Sequence, residues 1–360
     1  MRLIRLRLEN FRCWPEFCHD LDSGVTLLVG PNGVGKSTIL EAASVSAGYG
    51  SFRGAKLDEL IRFNASLLRV CSDWEDANGG FATSITLEPG QAPQAQLRGH
   101  SVSPSALASE VLLSVFTESD AWLIKGDPSL RRRFLNMECG ALWPKASAAL
   151  AAYRALLRQK NALLGAAKRQ QAEPDYLTLQ AINRQMAPLI AYLTERRGHL
   201  LTLLEPVAQQ VFLEYFGTGA ITVLYQPSVL IPPGEEPGDQ LFLELERCSQ
   251  RDVAFGAQTI GPQRDDFGIR LEGKPLREYG SSGECGGAAL ALKIAALENL
   301  AAQKGEQPLV LADDPAPELD DSRRSAALRR LCAGRQMVLA LHSDSWLQLD
   351  VAERLDLLRG

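Results

Sequence analysis

The stretch "GPNGVGKS", Gly30 to Ser37, matches the pattern GxxxxGK[ST] in full. It constrains the fold more than any other feature, because such a loop needs a buried strand before it and a helix after it. Both are present. "GVTLLVG" is a short apolar run ending in glycine, and "KSTILEAASVSAG" reads as a helix with a glycine stop. The glycines let backbone N–H groups curl around the β- and γ-phosphates of a nucleotide. Lys36 supplies positive charge, and Ser37 Oγ can bind Mg2+. Gly30, Pro31, Asn32, Gly33, Val34, Gly35, Lys36, Ser37 and Thr38 are therefore the expected nucleotide contacts.

Near the other end of the chain, "PLVLADD" is an apolar strand tipped by Asp313 and Asp314. Beside a phosphate loop, a first carboxylate can hold Mg2+ through water, and a second can orient or deprotonate the attacking water. We expect Asp313 at the metal and Asp314 at the water. In "PELDD", Asp320 or Asp321 reads as the N-cap of the helix "SRRSAALRRL". A further loop, "GSSGEC", opens an apolar helix. Ser281 and the N–H groups of Ser282 and Gly283 could bind a γ-phosphate. The phosphate held by Lys36 already has a complete cradle, so such a phosphate would belong to a second copy of the chain. Two chains head to tail would then sandwich two ATP molecules. Taken alone, the loop is equally a plain helix start, with Ser as cap and Gly for the turn.

The rest of the chain frames these motifs. Ile4, Leu6 and Leu8 alternate with Arg5, Arg7 and Glu9, which is a strand with one buried face. Residues 66–100 look like a meander, and "VLLSVF" at 111–116 is another buried strand. Residues 128–171 and 174–216 are alanine- and leucine-rich and helical, with "QQAEPDY" as the turn between them. Leu150, Tyr153, Leu157 and Leu164 recur at helical spacing, as do Ile182, Met186, Leu189 and Leu193. Pro188 and Pro206 should kink or break the second helix. Strands return with "ITVLY" and "DFGIRLEG", then "PLVLADD", a helix and "QMVLAL". The expected fold class is α/β, with one domain built from both chain ends, residues 1–127 and 221–360, and a helical arm inserted at 128–220. The polar "PPGEEPGD" at 232–239 reads as a loop.

A net charge of −5 over 360 residues argues against a coat of nucleic-acid-binding charge, so any DNA contact must come from a local basic patch. The seven cysteines are scattered without CxxC spacing, which fits a reducing cytoplasm and neither a zinc site nor a disulfide framework. The N-terminus lacks the apolar stretch of a signal peptide, and no run approaches the roughly 18 apolar residues of a membrane span.

Several strings occur together, in order: "LENFRCW", "GPNGVGKSTILEA", "SFRGAKLDELIRF", "GDPSLRRRFLNME", "GPQRDDF", "GSSGECGGAALALKIA" and "LADDPAPELDD". This set resembles the bacterial RecF family, recombination-mediator ATPases related to the structural-maintenance-of-chromosomes and ABC-type ATPases. The resemblance covers nearly the whole chain and is weakest in the helical arm and around 226–245. It implies an ABC-ATPase-like domain with ATP and Mg2+ as cofactors. It also implies that Ser281 and Gly283 act in trans as a signature loop, and that Asp320 is a D-loop aspartate. His342 falls near the position that senses γ-phosphate, Arg12 in a nucleotide-contacting hairpin, and Glu118 near the metal-facing glutamine position of the family. Departures are Glu284 for the usual signature glutamine, Gly286 and Gly287 where a basic residue is common, and Gln263 for histidine.

The candidate DNA contacts are Arg131, Arg132, Arg154, Arg158, Lys160, Lys168 and Arg169. Solvated helix faces and local ion pairs are the alternative fate of such charges. The resemblance implies an ATP-dependent homodimer closing on double-stranded DNA or single-strand/double-strand junctions, weak DNA-stimulated hydrolysis, a cytoplasmic location, no membrane, and RecO and RecR partners. Two other classes share the phosphate loop. A transporter-type ATPase subunit would need a membrane partner, and a P-loop kinase would need an acceptor pocket and no signature loop.

Overall fold

The computed structural model describes residues 1–230, 237–344 and 347–357. In chain order the first strands are β1 (Arg2–Phe11), β2 (Trp14–Asp20) and β3 (Val25–Val29), followed by helix α1 (Lys36–Ser46). Next come β4 (Leu68–Asp76), β5 (Gly79–Leu87), β6 (Gln94–Leu97) and β7 (His100–Val102). Helix α2 (Pro104–Glu110) precedes β8 (Leu113–Thr117), and α3 (Trp122–Lys125), α4 (Pro128–Leu142), α5 (Pro144–Gln170) and α6 (Tyr176–Phe216) follow. Then come β9 (Ile221–Gln226), α7 (Pro237–Arg247), α8 (Ser249–Phe255), β10 (Asp266–Leu271), β11 (Lys274–Pro275) and α9 (Leu276–Tyr279). The chain closes with α10 (Ser282–Lys304), β12 (Leu309–Asp313), α11 (Asp321–Cys332), β13 (Met337–Ala340) and β14 (Glu353–Asp356).

These elements form two compact units. One holds residues 1–121, 214–217 and 282–360, the other 122–213 and 218–281. The division differs from the expected boundaries at 128 and 220. Among the described residues, strands β9–β11 pair only with each other, in the order β11-β10-β9, so they group with the helices rather than with the phosphate-loop sheet. Of the expected 232–239 loop, residues 232–236 lie outside the described residues, and helix α7 begins at Pro237.

The first unit has two sheets. One is antiparallel, in the order β2-β1-β4-β5-β6-β7, and contains the expected meander. Leu6 and Leu8 of β1 are buried, while Arg5 and Arg7 face outward and donate to Asp20 and Asp73 on the flanking strands, at 2.8 and 2.9 Å. This cross-strand ladder is the sheet counterpart of helical ion pairs. The other sheet is parallel, in the order β14-β3-β13-β12-β8. Its inner strands are mostly apolar, with Thr26 and the terminal Asp313 as the polar positions, because both faces are covered. Asp313 is in register with Ala340 on one side and Thr117 on the other, and Ala340 with Leu28. The loops after β3, β8, β12 and β13 therefore leave the sheet at one end, the place where open α/β sheets bind ligands.

Helix α10, Ser282–Lys304, is long and apolar enough to cross a membrane, but 78% of its most apolar stretch is buried inside the protein, as in a core helix. Its first turns also explain the departure at Gly287. A Cβ on Gly287 would stand 2.2 Å from the Phe216 ring, so no side chain fits there, whereas one on Gly286 would stand 3.1 Å from Glu318 Oε2, the end of a flexible side chain.

In the second unit the expected helix over 128–171 is two helices, α4 and α5, broken at Trp143–Pro144. Pro188 and Pro206 do not break α6, which runs unbroken from Tyr176 to Phe216. An interior proline costs about 3 kcal/mol. Met186, Ile190, Leu193, Leu200, Leu201 and Leu204 are all buried along this helix. Each returns about 1.5–3 kcal/mol, so burial wins. Of the spaced residues foreseen on the two arm helices, Tyr153, Ile182, Met186 and Leu193 share one core, with Leu150, Leu157 and Leu189 packed against it, while Leu164 is buried but not among that cluster's residues.

Candidate nucleotide-binding site

The phosphate loop leaves β3 at Gly30 and enters α1 at Lys36. Gly35 has φ +106°, and a Cβ there would stand 2.5 Å from the Trp14 indole nitrogen, so no other residue fits. Trp14 Nε1 in turn donates to the Gly35 carbonyl at 3.3 Å. Lys36 is 9% exposed, and its Nζ donates to the Gly30 and Pro31 carbonyls at 2.7 and 3.1 Å. Burial lowers the Lys36 pKa, and the charges of Asp313 and Asp314 oppose that shift. Ser37 Oγ donates to Asp313 Oδ1 at 2.8 Å. Burial raises the Asp313 pKa, and the Ser37 hydrogen bond opposes it.

Gly33, Lys36, Ser37, Glu118, Asp313, Asp314 and His342 line one cleft of about 760 Å³, together with Asn32, Gly35 and Thr38. The four loops at the end of the parallel sheet thus converge. A lysine ammonium held inside a glycine loop suits the phosphates of ATP, and a hydroxyl beside a carboxylate is a donor set of the kind Mg2+ takes. The residues present therefore fit both groups.

Other expected residues stand differently. Arg12 lines the cleft, but its guanidinium donates to Glu41 at 2.5 and 2.9 Å, and Glu41 is wholly buried. Asp320 is the N-cap of α11: its carboxylate accepts from the Arg323 N–H at 3.0 Å and from Ser322 Oγ at 2.7 Å. Neither Asp320 nor Gly283 is among the described residues that line the cleft, and Ser281 falls in the other unit. Phe52 and Arg53 line the cleft without having been singled out in the sequence. Their only signal was their place in "SFRGAKLDELIRF".

The basic residues differ in how far the fold leaves them open to a partner. Arg131 is 2% exposed and donates to Asp266 at 2.6 and 3.0 Å and to three carbonyls, so it is not an available DNA contact. Lys160 is fully buried 3.1 Å from the equally buried Asp252, which removes it from the DNA candidates. Arg132 donates to the Asp265 carbonyl at 3.2 Å and is half-buried. Arg154, Arg158, Lys168 and Arg169 are exposed. Arg154 and Arg158 make no ion pair among the described residues. Although Arg154 is exposed overall, partial desolvation of its guanidinium lowers its pKa, and the like charges of Arg197 and Arg158 lower it further.

"GPQRDDF" is a structural hub of the second unit. Asp265 accepts from Arg197 at 2.7 Å, the Tyr225 hydroxyl at 2.6 Å and the Ser228 N–H at 2.9 Å. Gln263 accepts from the Tyr153 hydroxyl and donates to the Ile260 carbonyl at 2.9 Å, so it braces this core.

A family model for an AAA domain matches residues 5–94. A curated relative from Streptomyces avermitilis, "DNA replication and repair protein RecF", is 31% identical over 96% of this chain and 94% of its own length. This chain belongs to the RecF family. A solved structure of the recombination mediator protein RecF with ATP superposes with a TM-score of 0.88 at 26% identity, covering 97% of this chain and 93% of that one. The head of an SMC protein bound to a ScpA domain superposes at 0.56 with 15% identity over 96% of this chain and 90% of that one, which places the RecF family member in the same ABC-ATPase-like fold.

Proposed function

We propose that this protein is an ATP-operated DNA-binding switch of recombinational repair and replication. ATP draws two copies together on DNA at gaps or single-strand/double-strand junctions, and weak, DNA-stimulated hydrolysis to ADP and phosphate reopens them. The cycle assists recombinase loading with RecO and RecR in the bacterial cytoplasm. The RecF family membership supports this reading.

Lys36 and the loop N–H groups would hold the β- and γ-phosphates, with Ser37 and Asp313 as ligands of Mg2+ and Glu118 facing it. Bound Mg2+ would neutralise charge on the transferring phosphoryl group. Asp314 would orient the attacking water, and His342 would sense the γ-phosphate. One observation carries the dimer. The cleft gathers the phosphate loop and both carboxylates, yet Gly283 of the signature helix, in the same unit, is not among its described lining. On this reading Ser281 and Gly283 of a second copy would complete the site.

A mixing experiment tests this. Ser281→Arg should bind ATP through its own Lys36 and neither dimerise nor hydrolyse. Lys36→Met should not bind ATP. Mixed, the two can form one competent site per dimer, so partial ATPase activity should return. Parent-like dimerisation and hydrolysis by Ser281→Arg alone would reduce the loop to a helix cap.

A further inference from the structure

Asp314 sits in an unusual place for a side chain that must be aimed. Its φ is +46°, in the left-handed region that side-chain-bearing residues rarely adopt. Its own N–H donates to the Ala340 carbonyl of β13 at 2.9 Å, which fixes the backbone but leaves the carboxylate to be held by something else. Arg324, on α11, does that. Its NH2 donates to Asp314 Oδ1 while its Nε donates to the Pro315 carbonyl at 2.9 Å. Arg324 is 9% exposed and is not among the described residues lining the cleft. The fork therefore grips the acid and the next peptide at once, from behind.

The same helix closes the other end of the loop. Asp320 caps α11 with its side chain, and its carbonyl accepts from the Arg324 N–H at 2.9 Å. Leu319 N–H donates to the Ala316 carbonyl at 3.1 Å between them. Residues from Asp314 to Asp320 are thus one short loop whose two ends are tied to one residue. A planar guanidinium makes two such bonds in fixed geometry, which an ammonium cannot.

We propose that Arg324 is a positioning residue for hydrolysis, acting through Asp314: it sets the direction of the water-orienting carboxylate and ties it to the loop that carries Asp320. The inference rests on the reading of Asp314 given above. It needs no contact between Arg324 and nucleotide. Its effect belongs to the rate of hydrolysis and not to nucleotide affinity, because Lys36 and Ser37 are not moved.

The test is a double-mutant cycle read by single-turnover hydrolysis, fluorescent-nucleotide binding and denaturant midpoint. Arg324→Gln should slow hydrolysis about 10²-fold, the usual size of a small misplacement at a reacting centre, with nucleotide affinity unchanged. Added to Asp314→Asn, it should cause no further loss, since residues that act as a unit are not additive. Arg324→Lys keeps the charge, loses the fork and should recover only part of the rate. Parent-like hydrolysis by Arg324→Gln, or further slowing in the Asp314→Asn background, would overturn the inference. If Arg324→Gln does not fold, Arg324→Lys carries the test: loss confined to kcat supports it, and loss of nucleotide affinity overturns it. Parent-like turnover by Asp314→Asn would remove the role of Asp314 itself. Slow Arg324→Gln beside slow Asp314→Asn in a non-additive pair is the outcome the structure requires.

Discussion

Among single residues, Lys160 is the sharpest contrast between charge as counted and charge as placed. On a helix wheel at 100° per residue, Arg154, Arg158, Lys168 and Arg169 fall within an arc of roughly 100°, whereas Lys160 points far outside it. The spacing to find this was in the sequence; the acid that receives Lys160, Asp252, lies on α8 and could not be read locally. Burial lowers the Lys160 pKa, and the Asp252 charge opposes that. Lys160→Met leaves Asp252 buried without its partner, which costs about 3–5 kcal/mol. The denaturant midpoint should fall accordingly, while the Lys160→Met, Asp252→Leu pair should regain most of it. A single variant as stable as the parent would mean the pair contributes nothing. Phosphate-loop residues were legible because their chemistry is local. Arg324 and Glu41 were not, because their partners depend on how loops fold back: Arg324 reaches Asp314 across the turn that precedes its helix, and Glu41 receives Arg12 from the first hairpin.

At the scale of elements, α5 now has two faces with separate duties. Tyr153 and Leu164 are buried on one, and Arg154, Arg158 and Arg169 are exposed on the other. From Arg154 to Arg169 the exposed face runs about 22 Å at 1.5 Å per residue. We expect Arg154→Gln with Arg158→Gln to weaken duplex DNA binding about equally across sequences and to lower the slope of log affinity against log salt by up to about 2. ATP binding should survive. An unchanged salt slope would move DNA off this helix. The strands were legible where they alternate or run apolar, as in β1, β3 and β12. The continuity of α6 was not, because the proline rule is local and the burial that overrides it comes from neighbours the sequence does not name.

For the whole molecule, the α/β class was legible in the phosphate loop and the acid-tipped strand, and its ABC-ATPase-like kind came from the resemblance to the RecF family. The boundary of the inserted unit was not legible, since whether a short strand joins one sheet or another depends on hydrogen bonds that no local pattern specifies. The assembly prediction belongs here. With ATP and Mg2+, Asp314→Asn should sediment as a stable dimer, and gapped duplex should strengthen it. Lys36→Met should remain unchanged by ATP. Equal sedimentation of both variants with and without ATP would exclude a nucleotide-driven dimer. The order of the parallel sheet also bears on how the protein comes into being. Strand β3, which carries the phosphate loop, hydrogen-bonds on its two sides to β13 and β14, both near the far end of the chain. At a translation speed of about 5–20 residues per second, β3 waits roughly 15–60 s on the ribosome for its neighbours. During that time both its edges are open to mispairing with other nascent chains. A polypeptide stopped short of Met337 carries every letter of the phosphate loop and neither of the strands that hold β3.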